Sequence, residues 1–405
     1  MIAPAALSAT GTTHDMDTAL NDELQALQRA GLRRTLRQVH QRRAGTVLLQ
    51  GERIADFASN DYLGLAADPR LARAASAVLQ AEGVGAGAAR LISGNHPIHE
   101  VLERTLARWK GTEQALLFPS GYMANIGTIP ALVGVGDVIY SDALCHASLI
   151  DGCRLSKATI RVFPHADLDA LTTMLEADRH LFRRALIVVE GVFSMDGDLF
   201  PLDHLVPLAR RFDAWSYVDD AHGTGVLGET GSGAVEQLGM TGQVDVLVGT
   251  LGKALGTAGA YVAGSRVLVD FLTNRARSFI FTTGAPAALA ASTLEALRIT
   301  HEEPWRRDAV RARATRLREC LRESGREIPG MHDGHIIPIV VGDPHDTMRV
   351  VAELRHRGFL VGGVRPPTVP AGTSRLRLSV SAVHPMELVN SLAANLIDVL
   401  RGIPL

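Results

Sequence analysis

Val244-Asp-Val-Leu-Val-Gly-Thr-Leu-Gly-Lys253-Ala-Leu-Gly256 sets one lysine among glycines directly after a short apolar strand. An amine flanked by Gly252 and Gly256, in a segment too apolar to solvate a charge well, has its ammonium form disfavoured and can act as a nucleophile. The competing reading is a lysine at a strand end facing water, where most lysines sit. The segments upstream decide between the two.

Working back from Lys253, strands and helices alternate. Strands are expected at Gln114–Phe118, Val138–Tyr140, Ile160–Val162, Leu186–Val189, Trp215–Val218 and Val244–Val248, with helices from Met123 and over Asp167–Glu176 and Leu202–Phe212. That is the pattern of an open, mostly parallel sheet covered by helices, in which polar residues just past the strand ends build the ligand crevice. Several strands end in such residues: His146; Glu190 and Ser194; Asp219, Asp220 and His222; Thr250 and Lys253. Pro119-Ser-Gly-Tyr122 adds a tight glycine turn between a strand and a helix start, where free N–H groups and the helix dipole favour a phosphate.

Outside this block, an amphipathic helix is expected over Leu20–Val39, running into the basic cluster Arg33, Arg34, Arg37, Arg42 and Arg43. A strand at Arg53–Phe57, the turn-rich Ser59-Asn-Asp-Tyr-Leu-Gly64, suited to a loop near a site, and helices at Leu71–Ala81 and His99–Lys110 follow. After a helix over Pro304–Ser324, an α+β unit is read from strands at His335–Val341, Phe359–Val361 and Arg375–Ser379 with helices at Thr347–Arg357 and Pro385–Arg401. The division expected is an N-terminal tail and helix (1–58), a large domain (59–293) and a C-terminal α+β domain (294–405).

Composition narrows the function. With 405 residues, 46% hydrophobic, and a formal net charge of -2, the chain builds a large core and presents no basic stripe, so small-molecule chemistry is expected, with no nucleic-acid or membrane partner. Cys145, Cys153 and Cys320 form no CxxC pair, which suits a reducing, cytoplasmic setting and argues against zinc. The first residues, to Thr18, read as an unstructured tail without signal-peptide pattern, and Met16 is a second candidate start. The glycines after residue 83 do not follow a strand, which excludes a dinucleotide fingerprint, and no GxSxG elbow exists for a serine hydrolase.

An amine, a carboxylate beside a histidine, a second histidine and a phosphate-binding helix start together suit pyridoxal 5'-phosphate. Its aldehyde needs a lysine, its pyridine nitrogen a carboxylate, and its phosphate a helix N-terminus with hydroxyls. At this level Asp219 and Asp220 remain equal candidates for the ring nitrogen.

Val218-Asp-Asp-Ala-His-Gly-Thr-Gly225, Glu190-Gly-Val-Phe-Ser-Met-Asp-Gly197, Ser120-Gly-Tyr-Met-Ala-Asn125 and Thr250-Leu-Gly-Lys253 resemble the α-oxoamine synthases, pyridoxal-phosphate enzymes of fold type I, from about Leu24 to the C-terminus. Within that family, Ser59–Gly64 and Val364-Arg-Pro-Pro-Thr-Val-Pro-Ala-Gly-Thr373 resemble the branch that condenses L-alanine with a pimeloyl thioester, carried by coenzyme A or acyl carrier protein, in biotin biosynthesis. The resemblance implies an α/β fold type I transferase. It makes Lys253 the Schiff-base lysine, Asp219 the partner of the ring nitrogen, His222 the contact to the ring oxygen and His146 the residue stacked on the ring. Ser194 is matched to the cofactor pocket, and Gly121, Tyr122 and Thr250 to the phosphate. Thr282 or Thr283 would reach the phosphate of a neighbouring subunit, which implies a homodimer. Arg377 is matched to the amino-acid carboxylate, Thr368 and Arg34 (Arg33 after a one-residue slip) to the substrate. Tyr122 stands where this branch usually has phenylalanine, and Thr282-Thr283 where it has a serine-threonine pair. Alternatives from the same resemblance are a synthase with another amino acid or acyl donor, such as glycine C-acetyltransferase, and a non-catalytic partner subunit of a heterodimeric synthase, against which Lys253, Asp219 and His222 together argue.

Overall fold

The computed structural model describes residues 15–325 and 328–401. Three sheets organise it. Strands β1 (Val39–Arg43), β2 (Thr46–Leu49) and β3 (Glu52–Asp56) form an antiparallel meander near the N-terminus. The central sheet holds β4 (Gln114–Phe118), β5 (Val138–Asp142), β6 (Thr159–Phe163), β7 (Ala185–Glu190), β8 (Trp215–Asp219), β9 (Val246–Thr250) and β10 (Ala260–Gly264) in the order β4-β10-β9-β8-β7-β5-β6. Near the C-terminus are β11 (Ile336–Gly342), β12 (Phe359–Leu360), β13 (Gly362–Val364) and β14 (Ser374–Ser379). Of these, β11, β14 and β13 make an antiparallel sheet, and β12 extends the N-terminal meander by pairing parallel to β3.

Within the central sheet only β10 runs antiparallel to its neighbours, so the mostly parallel sheet expected from the sequence is present. β5, β7 and β8 are buried along their whole length or all but one residue, as the apolar runs of a sheet covered on both faces require. Register then fixes the site: Glu190 pairs with Asp219, and Asp219 with Val248. Those carboxylates therefore emerge side by side at the carboxyl edge, where an open α/β sheet binds ligands.

Several boundaries differ from the sequence reading. The first helix is Asp15–Arg29 and stops far short of Val39. Gly31 lies in the left-handed region at φ 67°, and the Leu32 N–H reaches back to the Leu27 carbonyl at 2.8 Å, a glycine stop that ends a helix whatever the leucine spacing beyond it. Leu36 is consequently fully exposed, and Arg42 and Arg43 belong to β1. The strand that leads to Lys253 is Val246–Thr250, two residues later than its apolar run suggests, so Thr250 is its last residue. Of the unstructured tail expected up to Thr18, residues 1–14 lie outside the described residues, and residues 15–18 are instead the first turn of the first helix. No helix among the described residues is long and apolar enough to cross a membrane.

The loop after Lys253 is held by Gly256, at φ 65°, where an added Cβ would overlap the Ala66 backbone nitrogen. Gly256→Ala combines a left-handed alanine with that overlap and is expected to lower unfolding stability by about 1–3 kcal/mol, read as a shifted urea midpoint at unchanged slope.

Candidate active site

Lys253 is largely enclosed past the end of β9, and its Nζ lies 2.8 Å from His222 Nε2. Burial removes solvation from the ammonium and lowers the lysine pKa to about 8, although Asp219 and Glu190 pull it upward. His222 is itself buried; its other nitrogen, Nδ1, meets the Tyr62 hydroxyl at 2.7 Å. Burial and then the nearby Lys253 charge hold His222 well below its usual pKa, in the neutral form. Tyr62 in turn accepts from Arg377 Nη2 at 3.3 Å. One continuous polar line thus runs from Lys253 through His222 and Tyr62 to Arg377.

Arg377 points inward, contrary to the competing reading of an outward residue on an alternating strand; β14 is the central strand of its sheet. It is buried on β14 and donates to the Ser194 carbonyl (2.5 Å), Asn60 Oδ1 (3.0 Å) and Ser379 Oγ (3.0 Å). The whole of β14 is buried, both faces covered, so period-two patterning carries no inside or outside.

The two aspartates separate by environment. Asp219 Oδ2 accepts from Asn125 Nδ2 at 2.8 Å, and Oδ1 from the Ala221 N–H at 3.0 Å. Asn125 is fixed from both sides, donating to Ser148 Oγ (2.9 Å) and accepting from the Tyr217 hydroxyl (2.7 Å). Asp220 instead points away into a glycine cradle: a Cβ at Gly191 would sit 2.7 Å from Oδ1, and Cβ atoms at Gly223 and Gly233 would overlap the carboxylate. It accepts the Ala234 N–H at 3.1 Å and faces the buried Lys110, which donates to Thr224 Oγ1 at 3.1 Å. Asp220 is therefore internal architecture, and Asp219 is the carboxylate beside Lys253 and His146.

Of the remaining candidates, contacts tie His146 to Glu190, Gly121 to Thr250 and Ser194 to Arg377, whereas Tyr122, Thr282, Thr283, Arg34 and Thr368 make no hydrogen bond to the central residues. His146 caps the helix Ala147–Ser156: its Nδ1 accepts the Ser148 N–H at 3.2 Å, and its own N–H donates to Glu190 Oε1 at 2.6 Å. Burial pushes Glu190 up to about 8. Gly121 opens the helix Gly121–Leu132 against the end of β9, close enough that a Cβ would lie 2.7 Å from Thr250 Cγ2. Tyr122 is exposed and its hydroxyl donates to Asp151. Ser194 contributes its carbonyl to Arg377. Thr282 and Thr283 line a small cleft with Pro119, Ser278 and Arg90. Neither hydroxyl has a hydrogen-bond partner among the described residues. Arg34 lies in an extended segment, with Nη2 3.4 Å from the Pro366 carbonyl, while Arg33 is exposed beside it. Thr368 is exposed on the same turn, where the Pro366–Pro367 bond is cis and the Thr368 N–H meets the Arg365 carbonyl at 3.1 Å.

Sequence reasoning named Glu190 among the strand-end residues without giving it a role, placed Asn60 and Tyr62 only within a loop near a site, and did not single out Asn125. Nothing local in that loop marks Asn60 and Tyr62 apart from their neighbours. Asn125 and Glu190 stand inside quoted motifs, and their roles follow from partners remote in sequence.

The chain belongs to the class I and II aminotransferase family, whose model matches residues 52–396, and within it to the α-oxoamine synthases. It is 50% identical over 351 residues to the 8-amino-7-oxononanoate synthase of Alkalilimnicola ehrlichii, covering 86% of this chain and 89% of that one. To the synthase of the same name from Geobacter sulfurreducens it is 48% identical over 373 residues, with coverage of 91% and 94%. Among solved structures, a Sphingomonas wittichii serine palmitoyltransferase superposes with a TM-score of 0.90 at 30% identity (96% and 99% covered). An 8-amino-7-oxononanoate synthase from Francisella tularensis gives 0.75 at 26% identity (86% and 98% covered). The fold is thus that of the pyridoxal-phosphate-dependent enzymes of fold type I.

Family membership makes pyridoxal 5'-phosphate the cofactor, and the residues present fit it. Thr250 Oγ1 is buried with no hydrogen-bond partner among the described residues, at the strand end that abuts the glycine start of a helix, where first-turn N–H groups lack internal partners. Incubating the chain with pyridoxal phosphate, reducing with borohydride and mapping peptides should place the tag on Lys253. Because the free amine prevails above its lowered pKa, labelling of the cofactor-free protein should rise with pH through about 8, well below an ordinary lysine, and Lys253→Ala should abolish the tag.

Proposed function

We propose that this chain is an 8-amino-7-oxononanoate synthase: it joins L-alanine to a pimeloyl thioester, with loss of carbon dioxide and release of the thiol. The observation that carries the reading is the polar line from Lys253 to Arg377, a buried amine at one end and a carboxylate-binding guanidinium at the other, which is the layout an α-amino acid needs. Curated synthases of this name at 45–50% identity over most of the chain supply the choice of acyl donor.

Pyridoxal phosphate, when bound, supplies an electron-accepting ring that stabilises negative charge at the α-carbon of the amino acid. Lys253 would hold the cofactor, Thr250 with the helix start at Gly121 and Tyr122 would take its phosphate, and Asp219, steadied by Asn125, would face its ring nitrogen. His222, neutral and tethered to Tyr62, would face its ring oxygen, and His146 its ring. Arg377 binds the alanine carboxylate and so orients the α-hydrogen towards Lys253. Burial opposes the Lys253 charge and lowers its pKa to about 8, so its neutral amine is far more accessible than an ordinary lysine's, and in that form it takes the proton as general base. The α-carbon then forms its bond to the thioester carbonyl carbon; the thiolate leaves and takes a proton from solvent. The carboxylate, no longer needed as an anchor, departs as carbon dioxide, and Lys253 returns a proton to the α-carbon.

Arg34 and Thr368, brought to one turn by Pro366, are the groups we assign to the distal end of the acyl chain. The active form we infer is a homodimer in the cytoplasm. Supporting it are the unpaired hydroxyls of Thr282 and Thr283, the exposed Tyr122, the open apolar stripe Leu20, Leu24 and Leu27 on the first helix, and three free cysteines.

With alanine present, carbon dioxide release from acetyl, octanoyl and pimeloyl thioesters should show the highest kcat/KM for the pimeloyl donor. A clear preference for acetyl or unsubstituted fatty donors would move the chain to another α-oxoamine synthase activity. Because one methyl gives only about 1–3 kcal/mol of discrimination, glycine should be used some 10- to 200-fold less well than alanine rather than refused. Mixing Lys253→Ala chains with chains in which both Thr282 and Thr283 are alanine should restore partial activity, since each mixed dimer has one intact site; no recovery despite demonstrated subunit exchange would mean each chain completes its own site.

A further inference from the structure

His165 lies outside the polar line, yet it joins two of the loops that build the site. Its Nδ1 is 3.0 Å from Asp142 Oδ1 and 3.1 Å from Oδ2, and its Nε2 is 2.9 Å from Asp198 Oδ2. The ring stands edge-on to Phe193, centroids 4.4 Å apart. Ionised carboxylates only accept hydrogen bonds, so a ring facing one at each nitrogen is satisfied only as the doubly protonated imidazolium. Burial opposes that charge, but the bonds to Asp142 and Asp198 outweigh it and push the His165 pKa up to about 10.

The two carboxylates come from different places. Asp142 ends β5, is buried, and also takes the Leu144 and Ala166 N–H groups at 2.8 Å each; the chain continues from it to His146. Asp198 closes the turn Phe193–Asp198, in which the Phe193 N–H meets the Asp198 carbonyl at 3.0 Å and the Gly197 N–H meets the Phe193 carbonyl at 2.9 Å. The far edge of the same turn carries the Ser194 carbonyl that holds Arg377 Nε, and Asp196, which pairs with Arg375. The turn is therefore suspended between His165, in the turn just past β6 of the central sheet, and two arginines on β14.

We infer that His165 is a positioning residue: as an imidazolium bridging Asp142 and Asp198 it anchors the Phe193–Asp198 turn, and through the Ser194 carbonyl it sets the aim of the Arg377 guanidinium. It touches no reacting atom. The part concerning Arg377 rests on the reading of that residue as the alanine carboxylate anchor; the bridge itself does not.

His165→Gln keeps one donor for Asp142 but turns an oxygen towards Asp198, so the holoenzyme variant should show a KM for alanine raised about ten-fold, with kcat and the thioester KM within about three-fold. Adding Asp198→Asn gives that oxygen an N–H to accept and should return the alanine KM to within about three-fold of the parent. Should His165→Gln not fold, Asp198→Ala breaks the same bridge from its partly exposed end and should raise the alanine KM alike. The bridge is tested separately by melting the parent and His165→Gln across pH. A raised folded-state pKa gives stability that is complete below the unfolded value of about 6.5 and lost as pH climbs through about 10. The parent should lead by about 2–4 °C at pH 7, and the lead should shrink by pH 10.5. An unchanged alanine KM in a folded variant, a loss confined to kcat, or no rescue by the second substitution would overturn the positioning role. A stability lead independent of pH would overturn the imidazolium. Were the parent inactive with alanine, the proposed activity would fall while the melting comparison still decided the bridge.

Discussion

The desolvation of one amine is the constraint on which this site depends. Lys253 is held in an enclosed position where its charge is costly, with a neutral histidine at 2.8 Å rather than a carboxylate. A carboxylate in contact would hold the lysine protonated and inert; Asp219 and Glu190 act on it only through space. The site therefore needs its negative charge near but not touching, and the sheet register supplies that spacing by ending β7 and β8 level with one another. Tyr62 keeps His222 in place without adding charge, since burial pushes the Tyr62 phenol upward and away from ionisation.

A second buried pair stabilises the ground beneath. Lys110 and Asp220 lie in the interior next to the site, Lys110 lowered to about 8 and Asp220 raised to about 7, both by burial before any other cause. Removing one partner of such a pair typically costs about 3–5 kcal/mol, because the other charge is left without compensation. The glycines around Asp220 are the backbone's answer to that carboxylate: any side chain at Gly223 or Gly233 would occupy the volume of its oxygens. Gly223, in the run Asp219-Asp-Ala-His-Gly223, thus serves the second aspartate, while the chemistry belongs to the first and to the histidine.

That division explains what could be read from the sequence and what could not. The parallel sheet was legible because apolar strands alternate with amphipathic helices, and the motif residues were legible because they stand at strand ends. Strand β10 escaped: Ala260-Tyr-Val-Ala-Gly264 has weak strand propensity and is held by two neighbouring strands instead. The length of the first helix was misjudged because leucine spacing continues past Gly31, where backbone conformation and not side-chain pattern ends the helix. The loop holding Asn60 and Tyr62 was legible as one near a site, but their particular contacts were not, for a different reason. Their partners, Arg377 and His222, lie 317 and 160 positions away, and no local pattern encodes a contact of that span.

Those long spans have a consequence for how the site holds its shape. Lys253, His222 and Asp219 come from the central sheet, Asn60 and Tyr62 from the loop leaving β3, and Arg377 from β14 in a different sheet. Atoms on three separately built units meet within hydrogen-bond distance only if the units are docked to a fraction of an ångström, and a misplacement near 1 Å can cost about 100-fold in rate. The docking is correspondingly redundant. β12 pairs with β3, Arg306 on the helix Trp305–Glu323 donates to the Leu63 carbonyl at 2.7 Å, and the Ala382 N–H meets the Tyr62 carbonyl at 2.7 Å. Each of these ties the Asn60–Tyr62 loop to the C-terminal elements from a different direction. Tyr62 is thereby placed by backbone contacts that do not depend on the hydrogen bonds its side chain makes, which leaves its hydroxyl free to serve as the joint between the lysine end of the site and the arginine end.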